Sequence, residues 1–394
     1  MKRASQTAIG IDFGGTKIEV ALACPDGTLL SRERLDTLAE LGPQQALERT
    51  AGAVRRLEVL SREAHGACVT GYAAVAPGIV QSERILLTPN LPGWEELALA
   101  GELQRLLGLD RLPAVANDVR AGALAELRFG ALRGVDPGLY ISLGTGISAA
   151  VTVGGTVLAG ANQAAGEIAY VDPGPGARDG SVFGPPGTAP LEEIVGGRAI
   201  GERASAELGE ELTAAELFAR AASAIAGDAD SADRADGAAR AAGGIAGNAD
   251  GAERADDAAR AAAIDRARAI VRETLDVLAR SIANASVLID PELIVLGGGM
   301  MASADVILAA LRGHLAAAVP FPPRVAPAHF TRDASLHGAV ALALLDQGAA
   351  TVPAGCPRGG LDVVRIPAGV PVATAQAASG HAEESQLTTG GTIP

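Results

Sequence analysis

The chain has 394 residues, 48% of them apolar, with a formal net charge of −14. That length and apolar share allow two hydrophobic cores without disulfide support, and the three cysteines, Cys24, Cys68 and Cys356, stand too far apart for a disulfide framework or a metal cluster. The acidic balance argues against a nucleic-acid partner, which needs a basic face; no charged-then-apolar leader and no apolar run of membrane length is read, so a soluble cytoplasmic protein without a membrane partner is expected.

In chain order, the first informative stretch is Asp12-Phe13-Gly14-Gly15-Thr16-Lys17, set directly after the apolar Ala8-Ile9-Gly10-Ile11. An alternating apolar run, 18–23, follows, so the pattern predicts strand–turn–strand rather than a helix-opening phosphate loop. Gly14 and Gly15 let the backbone approach a polyanion, Thr16 adds a hydroxyl, and Asp12 is placed to meet the polyanion's metal. Lys17 and Lys2 are the only lysines in the chain, which makes Lys17 a specific choice; an ordinary glycine hairpin is the alternative for this hexamer alone. A helix is predicted over 44–62 from the spacing of Leu47, Ala51, Val54, Leu57 and Leu60, and a strand over 69–75, ending at Pro77-Gly78. The apolar run 112–116 then delivers Asn117-Asp118, which reads either as a catalytic pair or as a cap for a helix over 119–127.

Leu143-Gly144-Thr145-Gly146-Ile147 repeats the first element: strand, glycine-threonine turn, then alternation up to Gly154-Gly155. Glu192 precedes a helix-like stretch, 193–204, where the alternative role is a carboxylate at a helix start. Segments 225–240 and 245–260 are nearly the same text written twice with a spacing of twenty. Asp230/Arg234 and Asp236/Arg240 favour a helix there while six glycines from Gly227 to Gly251 oppose it, so 224–262 reads as a duplicated low-complexity insertion, exposed and partly helical or disordered. A third cluster, Gly297-Gly298-Gly299, ends the buried-strand run 293–296 and suits the flat approach of a base and ribose. A last helix is expected over 337–345, packing back toward the first part of the chain, and the Ala-, Gly-, Pro- and Thr-rich tail 348–394 reads as disorder.

Taken together, the glycine loops, Pro89-Asn90-Leu91-Pro92-Gly93-Trp94, Asn117-Asp118, Gly166-Glu167-Ile168, Leu191-Glu192, Asp290-Pro291-Glu292 and Leu336-His337-Gly338-Ala339 resemble the ROK family of repressors, open reading frames and kinases. The resemblance runs collinearly over about 7–346 apart from the insertion. It implies an α/β protein with the two-domain actin/hexokinase-like (ribonuclease H-like) ATPase fold and an interdomain cleft. The expected division is a small domain at 1–118, a larger one at 119–347 and the tail. It also implies an ATP-dependent kinase of the 6-hydroxyl of glucose or a glucose-like hexose, with Mg2+ and a homodimeric state. The alternatives are a kinase of an aminosugar or C7-cyclitol and a non-catalytic sugar sensor. With only eight residues before Ile9, the DNA-binding module that the family's repressors carry is not expected here.

By the same resemblance Asp118 is the general base, and Asn117, Glu167, Glu192, Tyr170, Gly78 and Asn90 bind the sugar. Gly14, Gly15, Thr16, Lys17, Gly144, Thr145, Gly146, Gly298 and Gly299 hold the nucleotide, and Asp12 serves its magnesium. The chain departs from the family pattern at one place: Tyr170 stands where the family has a zinc-binding histidine, and 172–190 contains no cysteine or histidine. No structural zinc is therefore expected. Tyr170 either hydrogen-bonds the sugar or merely packs, and an unusual preference is expected at the anomeric end.

Overall fold

The computed structural model describes residues 6–88, 91–174, 189–222 and 251–346, excepting the side chains of 251–257. Apolar alternation carries the chain up, back and up again as β1 (Gln6–Phe13), β2 (Lys17–Ala23) and β3 (Leu29–Asp36), all antiparallel. Helix α1 (Gly42–His65) opens with a proline in its first turn and closes at Gly66 in the left-handed region, burying Leu47, Ala51, Val54 and Leu57. It extends the predicted 44–62 at both ends. Strand β4 (Cys68–Ala76) lies parallel to β1. A short hairpin of β5 (Ile79–Val80) and β6 (Ile85–Leu86) and helix α2 (Leu99–Leu107) lead into β7 (Ala114–Asn117), parallel to β4. The first sheet thus has the order β3-β2-β1-β4-β7.

Helix α3 (Asp118–Phe129) follows, and the pattern then starts again. Strands β8 (Gly138–Leu143), β9 (Ile147–Val153) and β10 (Thr156–Val157) form an antiparallel meander, with Gly154 and Gly155 at positive φ in its second turn. After α4 (Glu192–Val195), α5 (Gly197–Leu208) and the 39-residue α6 (Gly251–Ile289) come β11 (Leu293–Gly297), α7 (Ala304–Ala318) and β12 (Arg324–Pro327). β11 is parallel to both β8 and β12, which gives the order β10-β9-β8-β11-β12, the same topology as the first sheet. The helix expected over 193–204 is in fact two, because Gly196 takes an extended conformation between α4 and α5. The end of the duplicated insertion forms the first turns of α6; residues 223–250 lie outside the described residues.

The last helix, α8 (Ala334–Asp346), leaves the second half and covers one face of the first sheet, as expected. Leu336 and Val340 meet Ala21 and Ala23, Ala343 meets Ala8 and Ala73, and Ala339 meets Val75 and Ala121. Small residues on the sheet let the helix lie close: a Cβ on Gly10 would stand 2.6 Å from the Val340 nitrogen. The opposite face packs Ile9, Ile11, Val54, Leu57 and Leu103, with Phe13 and Trp94 in ring contact at 5.1 Å.

Two expectations change here. Gly299–Ala318 is long and apolar enough to cross a bilayer by composition, a run the sequence reading did not pick out; its Ile307, Leu308, Leu311 and Leu315 are buried in the core of the second half. Cys68 is disulfide-bonded, which cysteine spacing did not suggest.

Candidate active site

Parallel register places the central acids. Val75 on β4 pairs with Asp12 on β1 and with Ala116 on β7, so Asp12 and Asp118 leave the same end of the first sheet on either side of β4. Between strand and helix, Asn117 caps α3: its Oδ1 accepts from the Val119 and Arg120 N–H groups at 2.9 and 3.1 Å. Its Nδ2 donates to the Gly78 carbonyl at 2.7 Å. The cap therefore exists, and it aims Asp118 rather than competing with a role for it. Gly78 is at φ +88°, and a Cβ there would lie 2.4 Å from the Leu86 carbonyl, so no larger residue can present that carbonyl to Asn117.

Burial pushes the Asp118 carboxyl up to about 7, with the charges of Asp12 and then Glu167 adding to the shift and the Val119 N–H bond opposing it. Burial also raises Asp12, to about 6, against a 2.5 Å hydrogen bond from Ser335 Oγ on α8. Glu167 is raised by burial, opposed by Arg120 and reinforced by Glu192. Tyr170 is 41% exposed, and its phenol is pushed up by burial and then by Glu167 and Glu192. The structure thus brings Asp12, Asp118, Glu167, Glu192 and Tyr170 into one electrostatic neighbourhood. Asn90 lies outside the described residues.

The two glycine-threonine loops each close through the N–H of their first glycine, across three residues in one and two in the other. Gly14 N–H donates to the Lys17 carbonyl at 2.9 Å, and Gly144 N–H to the Gly146 carbonyl at 2.9 Å. In each loop the next two amides, of Gly15 and Thr16 or of Thr145 and Gly146, have no backbone partner among the described residues. Both loops therefore keep a pair of donors suited to an anion. A Cβ on Gly144 or on Gly299 would meet nothing within 4 Å, so neither glycine is required by packing. Gly298 differs: at φ +92° its Cβ would stand 2.3 Å from the Leu143 carbonyl, which lets β11 end tightly against β8.

Two expected ligands have protein partners. Lys17 Nζ lies 2.5 Å from Glu19, a nearly buried carboxylate that also takes Arg32, and burial there is outweighed by these two cations, which hold Glu19 low. Lys17 is thus a positive charge fixed at the rim of the first loop. Glu192 Oε2 accepts the Ile147 N–H at 3.0 Å, and a Cβ on Gly146 would collide with this carboxylate. Glu192 therefore supports the second loop as well as lying near Glu167. Glu19, Arg32, Ser335 and Arg120 were missed in the sequence; their only signal was charge or hydroxyl at positions flanking motifs, which nothing in one chain distinguishes from ordinary solvent-facing side chains.

Among the described residues no group of three His, Cys, Asp or Glu side chains converges as a metal-binding set. Residues 175–188, where most of the cysteine-free loop falls, lie outside the described residues. The donor set would fit a hard cation carried by a phosphate, to which Asp12 could offer one carboxylate.

The ROK family model matches residues 8–345. The chain is 30% identical over 347 residues to an N-acetylmannosamine kinase of Shigella boydii, covering 87% of this chain and 99% of that one. It is 28% identical over 314 residues to a glucokinase of Thermotoga maritima, covering 77% and 85%. A solved structure of a ROK hexokinase from Thermus thermophilus superposes with a TM-score of 0.63 at 25% identity, covering 86% of this chain and 98% of that one. The duplicated sheets are those of the hexokinase- and actin-like ATPase fold, and the chain belongs to the ROK family.

Proposed function

We propose that this sugar kinase transfers the γ-phosphoryl group of ATP to the 6-hydroxyl of glucose or a glucose-like hexose. The observation that carries the reading is the placement of Asp118: a carboxyl raised to about 7, oriented by the Asn117 cap and gathered with Glu167, Glu192 and Tyr170. A base in that range is matched to taking a hydroxyl proton near neutral pH. Glu167 and Glu192 accept hydroxyl protons of the sugar, Asn117 and Gly78 line its reacting side, and Asn90 adds a further contact. The paired amides of Gly15 and Thr16 and of Thr145 and Gly146 hold phosphate oxygens, with Lys17 at the rim and Gly298 and Gly299 beside the base and ribose. Asp12 would hold the magnesium that comes with the nucleotide, and that ion would supply charge neutralisation on the transferred group.

A coupled turnover assay with glucose, mannose, N-acetylmannosamine and a C7-cyclitol tests the reading. Glucose or a close hexose is expected to give the highest kcat/KM; turnover of the cyclitol alone would overturn it and favour specialised metabolism. That second reading has its own support in Tyr170, a phenol at the position where the sugar's anomeric end is expected. For Tyr170→Phe, the sugar KM is expected to rise more than kcat falls, because the contact is remote from the reacting hydroxyl. Unchanged kinetics would reduce Tyr170 to packing.

The pH profile offers another check. A base must be deprotonated to act, so kcat/KM for the sugar is expected to fall as pH drops below about 7, the value to which Asp118 is raised. A profile flat down to about pH 5 would contradict a base with that environment.

A further inference from the structure

Two residues beyond Asp118, α3 turns Arg120 inward, where it is 7% exposed. A buried guanidinium needs acceptors to offset its lost hydration. Nη1 donates to Gln163 Oε1 at 2.6 Å, whereas Nη2 is buried with no hydrogen-bond partner. Gln163 is held at φ +61°, a left-handed conformation that is strained for a non-glycine residue and persists only where contacts enforce it. The neighbouring Asn162 carbonyl accepts from Gln81 Nε2 at 3.1 Å, just after β5.

The loop that runs into Glu167 is therefore tied on one side to Arg120 and Gln81 of the first half. On the other side it is tied to the second sheet: the Ala149 N–H donates to the Gly166 carbonyl at 3.0 Å, and a Cβ on Gly166 would lie 2.2 Å from the Ala149 carbonyl. Around Glu167 stand Arg120 from α3, Glu192 from α4, Asp118, and Tyr170 in its own segment. Arg120 is the one cation among them. An ionised carboxylate accepts two hydroxyl protons, while a protonated one gives up one oxygen to act as a donor.

We infer that Arg120 is a positioning residue for acceptor binding: through its hydrogen bond to Gln163 it fixes the loop bearing Glu167, and its guanidinium favours the two-acceptor form of Glu167 beside Glu192. This rests on the reading of Glu167 as a sugar ligand. The test is calorimetric titration of the full chain with glucose or N-acetylmannosamine, whichever the wild type turns over faster, at about pH 6 and about pH 8.5. Wild type and Arg120→Lys should show the same ratio of affinities between the two values, whatever Asp118 contributes to it. Arg120→Met should lose several-fold more affinity than wild type on going from the higher pH to the lower. Without the cation nothing opposes the burial and the Glu192 charge that raise Glu167, so it takes up a proton more readily as pH falls. Should Arg120→Met not fold, Arg120→Gln carries the same readout. Gln163→Ala should weaken binding equally at both pH values. If Arg120→Met or Arg120→Gln has the wild-type pH profile while Glu167→Gln binds weakly, the role of Arg120 is overturned and that of Glu167 stands. If Glu167→Gln binds as tightly as wild type, the sugar role of Glu167 itself fails.

Discussion

Asp118→Asn is expected to lower kcat by a hundred- to ten-thousand-fold, roughly the range for a positioned base, and at the same time to make the protein more stable at pH 8. The two effects share one cause. In the unfolded chain an aspartate ionises near 4, but in the fold burial and the neighbouring acids hold Asp118 up to about 7. A group whose folded pKa is raised favours folding below its unfolded pKa and loses that advantage as pH rises through its folded pKa. Above about 7 the folded protein therefore carries the full cost of an ionised Asp118, on the order of 2–4 kcal/mol for a rise of this size. Asparagine keeps the shape and carries no charge. The thermal midpoint of Asp118→Asn should match wild type near pH 4 and exceed it by several degrees at pH 8. Wild-type turnover would remove Asp118 as the base; an unchanged midpoint at pH 8 would mean that the ionised group is better solvated than its surroundings suggest.

Gly338→Val should cost more stability than any replacement of a cluster acid. A Cβ at this position would stand 2.0 Å from the Ala121 carbonyl and 2.2 Å from its carbon, both in the backbone of α3. Neither helix has a flexible side chain there to yield, so the axes must separate. Overpacking of this kind costs roughly 1–3 kcal/mol and more where backbone meets backbone, which outweighs the roughly 0.5 kcal/mol by which valine favours a helix over glycine. Ala121 lies one turn beyond Asp118, so the displacement should also lower kcat. A denaturant midpoint equal to wild type would show that α3 and α8 cross more loosely than the geometry indicates.

The strands and glycine turns were the legible part of this fold, because alternation and bare backbone leave a local trace. β4 and α1 fall within a few residues of their expected spans, and both glycine-threonine loops are strand-to-strand turns. Features set by long-range contact left no such trace. The Ser335 bond to Asp12 joins residues 323 positions apart, and Glu192 reaches the Ile147 amide 45 positions away. The sequence offered Asn117 as either cap or catalytic neighbour, while the structure shows the cap and the aiming of Asp118 to be one arrangement. The stretch 193–204 was expected as one helix although it carries the pair Gly196-Gly197; the break falls at Gly196, where α5 meets the second loop through Gly197 N–H to the Gly144 carbonyl at 3.0 Å.

The placement of α8 has a consequence for how this protein is made. A ribosome releases residues 6–117, all five strands of the first sheet, long before residues 334–346 exist. Until then Ala8, Gly10, Ala21, Ala23 and Ala73 present a smooth apolar face with no cover, since alanines cannot bury one another across a gap that a helix is meant to fill. The N-terminal sheet must wait, half finished, for the last helix to arrive, and its completion depends on contacts between opposite ends of the chain. The second half has no such dependence on later sequence for its own core. One face of the first sheet can close on α1 and α2 as soon as they are made, but the other is closed only by the helix that the later half hands back to it.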